Sequence, residues 1–194
     1  MIYTELEKIV DSQVSKRRLE HCRSTAKQTA SLVHRFCPNI SPKDALIVGL
    51  WHDVARQWSN EELLKFCQEQ NLKIEKEGED DPMLLHGYVA SLLLPKYFKE
   101  CQKKWQDAIR WHTLGSVKMG VLGAALYIAD YIEPLRSHLT KEERFAILRE
   151  SSLEKMVLKI IELHKLYLRS KKKIMAKTTV NLYNFLLNKG VFSL

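Results

Sequence analysis

The feature that most constrains this chain is an aspartate set inside an apolar helical run. Asp53 stands in the stretch Ala45-Leu46-Ile47-Val48-Gly49-Leu50-Trp51-His52-Asp53-Val54-Ala55. A helix that is apolar nearly all round has no face to give to water and belongs at the centre of the molecule. An ionised carboxylate there is costly to bury unless it meets an opposite charge, a dense set of hydrogen bonds or a metal ion. The adjacent His52 fits a metal, because neutral imidazole is a ready ligand for transition metals. Asp130 poses the same problem, flanked by Leu126, Tyr127, Ile128, Ala129, Tyr131 and Ile132. Two acids on two apolar helices point to one shared interior site. The structural alternative for each acid alone is a cap or an ion pair.

The remaining punctuation is helical. Leu19, Cys22, Ala26, Ala30 and Val33 recur at helical spacing and predict a helix from about Lys16 to Phe36. Ser41-Pro42 reads as an N-cap with proline in the first turn, opening a helix to about Gln57. Ser59 with Glu62, Thr140 with Glu143 and Ser151 with Glu154 have capping-box spacing. Asn71 to Asp80 reads as a loop, and Asp81-Pro82 starts a helix through His86 to about Leu94. Further helices are expected over Glu100 to His112, over Val121 to Glu133 where Pro134 stops the chain, and after Ser151. The last helix is expected from Lys177 to Asn188, with Gly190 as C-cap. With only 7 glycines and 5 prolines in 194 residues and no persuasive strand, the expected class is all-α, in one domain spanning 1–194.

Other classes fall away. No apolar stretch reaches membrane-spanning length, and charges through the first thirty residues leave no room for a secretory leader, so a cytoplasmic protein without membrane contact is expected. Cys22, Cys37, Cys67 and Cys101 form no Cys-x-x-Cys pair and are expected as free thiols. The net charge of +8 fits a solvated basic surface and would equally favour a nucleotide with several phosphates, while for nucleic acid charge alone is a weak pointer. Arg169 to Lys173 reads as a solvated turn, and His34, His138 and His164 as surface or packing residues.

The order His21, then His52-Asp53, then Asp130 resembles the HD-domain metal-dependent phosphohydrolases, whose fold is a helical bundle around a metal. His86, in His86-Gly87-Tyr88-Val89-Ala90, and His112, in Ile109-Arg110-Trp111-His112-Thr113, match the two additional histidines of HD proteins that bind two metals. Three stretches are similar to the YqeK family of HD hydrolases: Gly49 to Arg56, His112-Thr113-Leu114-Gly115, and Tyr127 to Arg136. The likeness runs from about Arg17 to Asn184, with Arg56 where that family usually has lysine.

The resemblance implies symmetrical cleavage of diadenosine tetraphosphate to two ADP at a two-metal centre. In that scheme His21, His52, Asp53 and Asp130 hold one metal, and His86 and His112 hold the other. Asp53 bridges the two and is the central catalytic group. Such a mixed set favours iron, with manganese, cobalt or magnesium as alternatives. Two metals would acidify a water between them and neutralise the phosphate under attack. Arg56, Thr113, Gly115 and Arg136 are the expected substrate contacts, Arg56 also taking part in catalysis, with Lys118 behind them. Two other readings stay open: action on nucleoside mono- or triphosphates, and a nucleotide- or RNA-binding protein without turnover. The oligomeric state is open between monomer and homodimer.

Overall fold

Polar caps start several helices where the sequence placed them. Ser15 accepts from the Arg18 N–H and opens α2 (Lys16–Phe36), which follows α1 (Tyr3–Gln13). Ser41 accepts from the Lys43 N–H and, with Pro42, opens α3 (Pro42–Trp51). Both halves of the Ser59–Glu62 box are formed at the start of α4 (Asn60–Glu69). The computed structural model describes residues 3–136 and 139–194, so His138 lies outside the described residues. The chain continues through α5 (Lys76–Asp80), a 3-10 turn (Pro82–Leu85), α6 (His86–Tyr97), α7 (Lys103–Trp111) and α8 (Gly120–Ile132). It ends with α9 (Lys141–Leu148), α10 (Leu153–Ser170) and α11 (Lys177–Leu187). Among the described residues there is no strand, as an all-α reading requires, and no helix is long and apolar enough to cross a membrane.

Several boundaries differ from the sequence reading. α3 stops at Trp51 rather than Gln57, because the chain tightens into turns closed three residues back, Val54 N–H to Trp51 O and Arg56 N–H to Asp53 O. The stretch read as a loop before Asp81 contains α5, and Asp81 makes no side-chain cap. Ser152, not Ser151, caps α10 by accepting from the Lys155 N–H. After α11 the left-handed residue is Lys189 (φ 60) rather than Gly190. α1 was not legible, and its Leu6 and Val10, one turn apart, are fully buried.

α8 forms the centre, packed by α2, α3, α7 and α10, while α2 lies along α3 and α6 along α7. Asp44, buried on α3, pairs with Lys104 of α7 at 2.6 Å. The α2–α3 crossing is close enough that a Cβ on Gly49 would lie 2.4 Å from Ala26 Cα. Two backbones at that distance cannot yield by rotamer change, so overpacking applies. Gly49→Ala is expected to destabilise the fold by about 1–3 kcal/mol in urea or thermal unfolding. An unchanged midpoint would mean that the crossing is loose.

Candidate metal centre

Three of the candidate histidines sit at helix ends, where main-chain carbonyls lack helical partners. His52 caps α3, His86 caps the 3-10 turn and His112 caps α7. Each places its ring Nδ1 on the carbonyl three residues earlier. The distances are 2.7 Å for His52 to Gly49, 2.6 Å for His86 to Met83 and 2.7 Å for His112 to Ile109. A carbonyl only accepts, so Nδ1 carries the proton and Nε2 of the neutral ring is left with a lone pair. His21, on α2, is oriented differently, with its Nδ1 3.2 Å from the buried Glu133 carboxylate. Such partners fix the tautomer and aim of a ligating imidazole.

The four rings form a continuous row. Centroids are 5.3 Å apart for His21–His52, 4.8 Å for His52–His112 and 4.9 Å for His86–His112. Gly87 makes room for this row, since a Cβ there would lie 2.9 Å from His112 Cε1. Asp53, 2% exposed, turns one oxygen to each half of the row. Its Oδ1 lies 3.1 Å from His86 Nε2 and 3.6 Å from His112 Nε2. Its Oδ2 lies 3.5 Å from His52 Nε2 and 3.6 Å from His21 Nε2. Asp130 Oδ1 lies 3.0 Å from His21 Nε2 and 3.6 Å from His52 Nε2. All six residues named from the sequence are therefore together.

Several observations suit a cation. Among the described residues, the Nε2 atoms of His21 and His52 are buried without a hydrogen-bond partner, although Asp130 Oδ1 lies 3.0 and 3.6 Å from them. His86 Nε2 and His112 Nε2 face each other at 3.1 Å. With both Nδ1 atoms protonated, two lone pairs oppose unless a proton or a metal lies between them. Thr113 Oγ1 reaches both atoms, at 3.3 and 3.2 Å, and can donate to only one at a time. Candidate ligand atoms lie within 4.8 Å of one another in three groups: His21–His52–Asp53, His52–His112–Asp130 and Asp53–His86–His112. Neutral imidazoles with carboxylates match mid-row divalent transition metals better than calcium.

Charge in the cluster is balanced by protons and arginines. Burial alone would raise Asp53, yet His52, His112 and His86 outweigh it and hold its carboxyl well below the usual range. Burial would likewise raise Asp130, but Arg136, His21 and His52 hold it well below. His52 is lowered by burial and lifted more strongly by Asp53 and Asp130, to about 10. Burial is the main cause that lowers His112.

Two partners of the cluster were not legible. Arg18 donates to Asp53 Oδ2 at 2.7 Å, its only sequence signal being a position three residues before His21 on one helix. Glu133 is fully buried, taking the Leu135 N–H (3.0 Å) besides His21. Arg144 of α9 donates to the carbonyls of Ile132, Glu133 and Arg136, closing the end of α8 around it.

A cavity of about 550 Å³ opens on the cluster, lined by Asp53, His86, His112 and Asp130 together with Arg56, Thr113 and Arg136. Arg136 pairs with Asp130 and also borders a second cavity with Arg17, Arg18 and Gln57. Two expected contacts do not line the first cavity. Gly115 serves a tight turn: it has φ 70, and a Cβ there would meet Leu182 at 2.6 Å. Lys118 is exposed beyond that turn. His164, read as a surface or packing residue, lines the cavity.

Comparison with known proteins agrees with this geometry. The HD domain family model matches residues 18–135. Over 92% of the chain and 94% of the relative, the sequence is 27% identical to the symmetrical bis(5'-nucleosyl)-tetraphosphatase of Bacillus subtilis. It is 28% identical, over 64% of the chain, to a probable nicotinate-nucleotide adenylyltransferase/Ap4A hydrolase of Mycoplasma genitalium, of which it spans 34%. The fold superposes on a crystallised HD superfamily hydrolase of Clostridium acetobutylicum, ascribed to NAD metabolism, with TM-score 0.87 and 25% identity. That match covers 97% of this chain and 98% of the other.

Proposed function

Because the chain belongs to the HD-domain family of metal-dependent phosphohydrolases, we propose that it cleaves diadenosine tetraphosphate symmetrically into two ADP. The observation that carries this is the position of Asp53, whose two oxygens face two separate sets of imidazole nitrogens at the floor of a nucleotide-sized cavity. The substrate follows from likeness to the Bacillus protein over nearly its full length.

His21, His52, Asp53 and Asp130 would hold one divalent ion, and His86, His112 and Asp53 the other. Iron is the first choice, with manganese, cobalt and magnesium as alternatives. Bound there, the ions supply Lewis-acid polarisation of a phosphate and acidification of a water toward neutral pH.

The chain's own residues supply the rest. Arg18 and Glu133 hold Asp53 and His21 in place. Arg56 and Arg136, both on the cavity wall, neutralise the phosphates flanking the cleaved anhydride. Arginine at position 56 presents a planar fork where a lysine would offer a point charge, so it can hold two phosphate oxygens at once. The Thr113 hydroxyl, beside His86 and His112, is positioned to donate to a phosphate oxygen. One water is consumed, the anhydride between the two central phosphates opens, and each half leaves as ADP. A nucleoside diphosphate departs with little protonation, so the site needs no dedicated general acid.

Product analysis tests the reading. ADP as the sole product from diadenosine tetraphosphate, with iron or manganese supplied, is expected. Inorganic phosphate or pyrophosphate released faster from mono- or triphosphates would move the substrate class. No turnover with any metal, together with a salt-sensitive RNA shift in a gel, would make the protein a binder.

A further inference from the structure

The lining of the cavity above the cluster is of two chemical kinds. Its floor carries Asp53, Asp130, His86 and His112, with Arg56 and Arg136 beside them. Its lining also includes Leu163, His164, Leu166 and Tyr167 of α10, which packs on α8. The His164 and Tyr167 rings, one helical turn apart, are nearly parallel, at 26° with centroids 6.3 Å apart. Leu166 and Tyr167 are 63% and 57% exposed, an apolar rim left open at the mouth of a charged site. The second cavity beside the cluster, lined by Arg17, Arg18, Gln57 and Arg136, contains no tyrosine, tryptophan or phenylalanine among the described residues.

We infer that His164 and Tyr167 form the nucleobase platform of this site, so that one nucleoside of the substrate stacks on α10 while its phosphates reach the floor. The inference rests on the nucleotide reading above and adds to it the residues that recognise the base. A planar base gains by stacking on aromatic faces of matched orientation, whichever base it is. Burial lowers the His164 pKa. A neutral imidazole offers a base edge one donor and one acceptor and adds no further positive charge to a cavity already lined by Arg56 and Arg136. The cavity volume falls within the range of small-molecule sites, which are mostly apolar with a few placed polar groups. The lack of large aromatics in the second cavity gives the arrangement a polarity: one base is read, and the far half of the substrate is held through its phosphates.

Equilibrium titration of the metal-loaded full-length protein with ADP and, separately, with pyrophosphate tests this. Tyr167 is mostly exposed, so Tyr167→Ala leaves the core intact, and circular dichroism checks the fold. The variant is expected to bind ADP about 5- to 150-fold more weakly, the value of one lost stacking contact. Pyrophosphate affinity is expected to stay within about twofold, and Tyr167→Phe to bind ADP like the wild type. Equal losses for ADP and pyrophosphate, or no loss for either, overturn the platform. Unchanged ADP affinity with a shift in sedimentation would make this rim an interface between copies, and also overturns it. Hydrolysis is read separately: a wild type that binds ADP through Tyr167 yet leaves diadenosine tetraphosphate intact keeps the platform and removes the proposed reaction.

Discussion

Asp53→Asn is expected to lower hydrolysis of diadenosine tetraphosphate by on the order of 10³-fold or more, about 4 kcal/mol of transition-state stabilisation, and to lower the bound metal. The substitution keeps the shape of the side chain and removes its charge. In the wild type, Oδ1 faces His86 and His112, whereas Oδ2 faces His21, His52 and Arg18. Asp130 cannot replace it, because the described contacts of Asp130 Oδ1 are with His21, His52 and Arg136. An asparagine amide would offer one oxygen to one half of the row and an N–H₂ to the other, where it opposes a cation. Arg18 would also lose its anionic partner. Elemental analysis beside steady-state kinetics checks both parts, with saturating metal supplied to both proteins. Activity of the Asp53→Asn variant within about tenfold of wild type would remove Asp53 from the mechanism.

The two acids of the cluster and His52 were legible because their surroundings made them conspicuous, whereas His21, His86 and His112 were legible through the order they share with HD-domain proteins. Asp130 stands in an apolar helix and Asp53 in the turn just past the end of another, and a buried carboxylate demands a partner. His86 and His112 were visible as histidines at helix boundaries, although their reason for being there, a ring nitrogen closing a free carbonyl, needed coordinates. Arg18 lies between Arg17 and the helix interior in a run of surface charge, and nothing in its type separates it from its neighbours. Glu133 precedes a proline at a helix end and reads as solvated; only the crossing of Arg144 over the end of α8 encloses it. His164 belongs to an amphipathic helix of ordinary pattern, and only the packing of α10 against α8 turns it to the cavity. Gly115 is placed differently from Arg56, Thr113 and Arg136. It was named through the His112-Thr113-Leu114-Gly115 resemblance, and its left-handed turn sets it against Leu182, outside the residues that line the cavity. The end of α3 was overrun because an apolar pattern at helical spacing continues through Val54 and Ala55 whether the backbone closes its hydrogen bonds three or four residues back.

Stripping divalent metal with a chelator is expected to abolish hydrolysis and to lower the melting temperature by about 5–10 °C, with recovery when metal is restored. The size follows from linkage. A ligand held at about a hundredfold above its dissociation constant contributes about 2.7 kcal/mol, and each kcal/mol moves the midpoint by about 2–4 °C for a chain of this size. The stripped protein does not simply keep bare charges, because a proton takes part of the cation's place. His52 Nδ1 is committed to the Gly49 carbonyl, so that proton sits on Nε2, facing Asp53 and Asp130. Burial opposes it, but the two carboxylates prevail and raise the pKa from 6.5 to about 10. A folded-state pKa above the unfolded one stabilises fully below pH 6.5, and that contribution is lost as pH rises through about 10. A metal taking the same lone pair must expel the proton, so apparent metal affinity is expected to rise about tenfold per pH unit across the neutral range. Calorimetric titration in buffers of different ionisation enthalpy measures the release, about one proton for the ion that His52 holds. Metal uptake without proton release would assign His52 no ligand role, and a melting temperature indifferent to the chelator would reduce the whole cluster to a network of ion pairs that needs no metal.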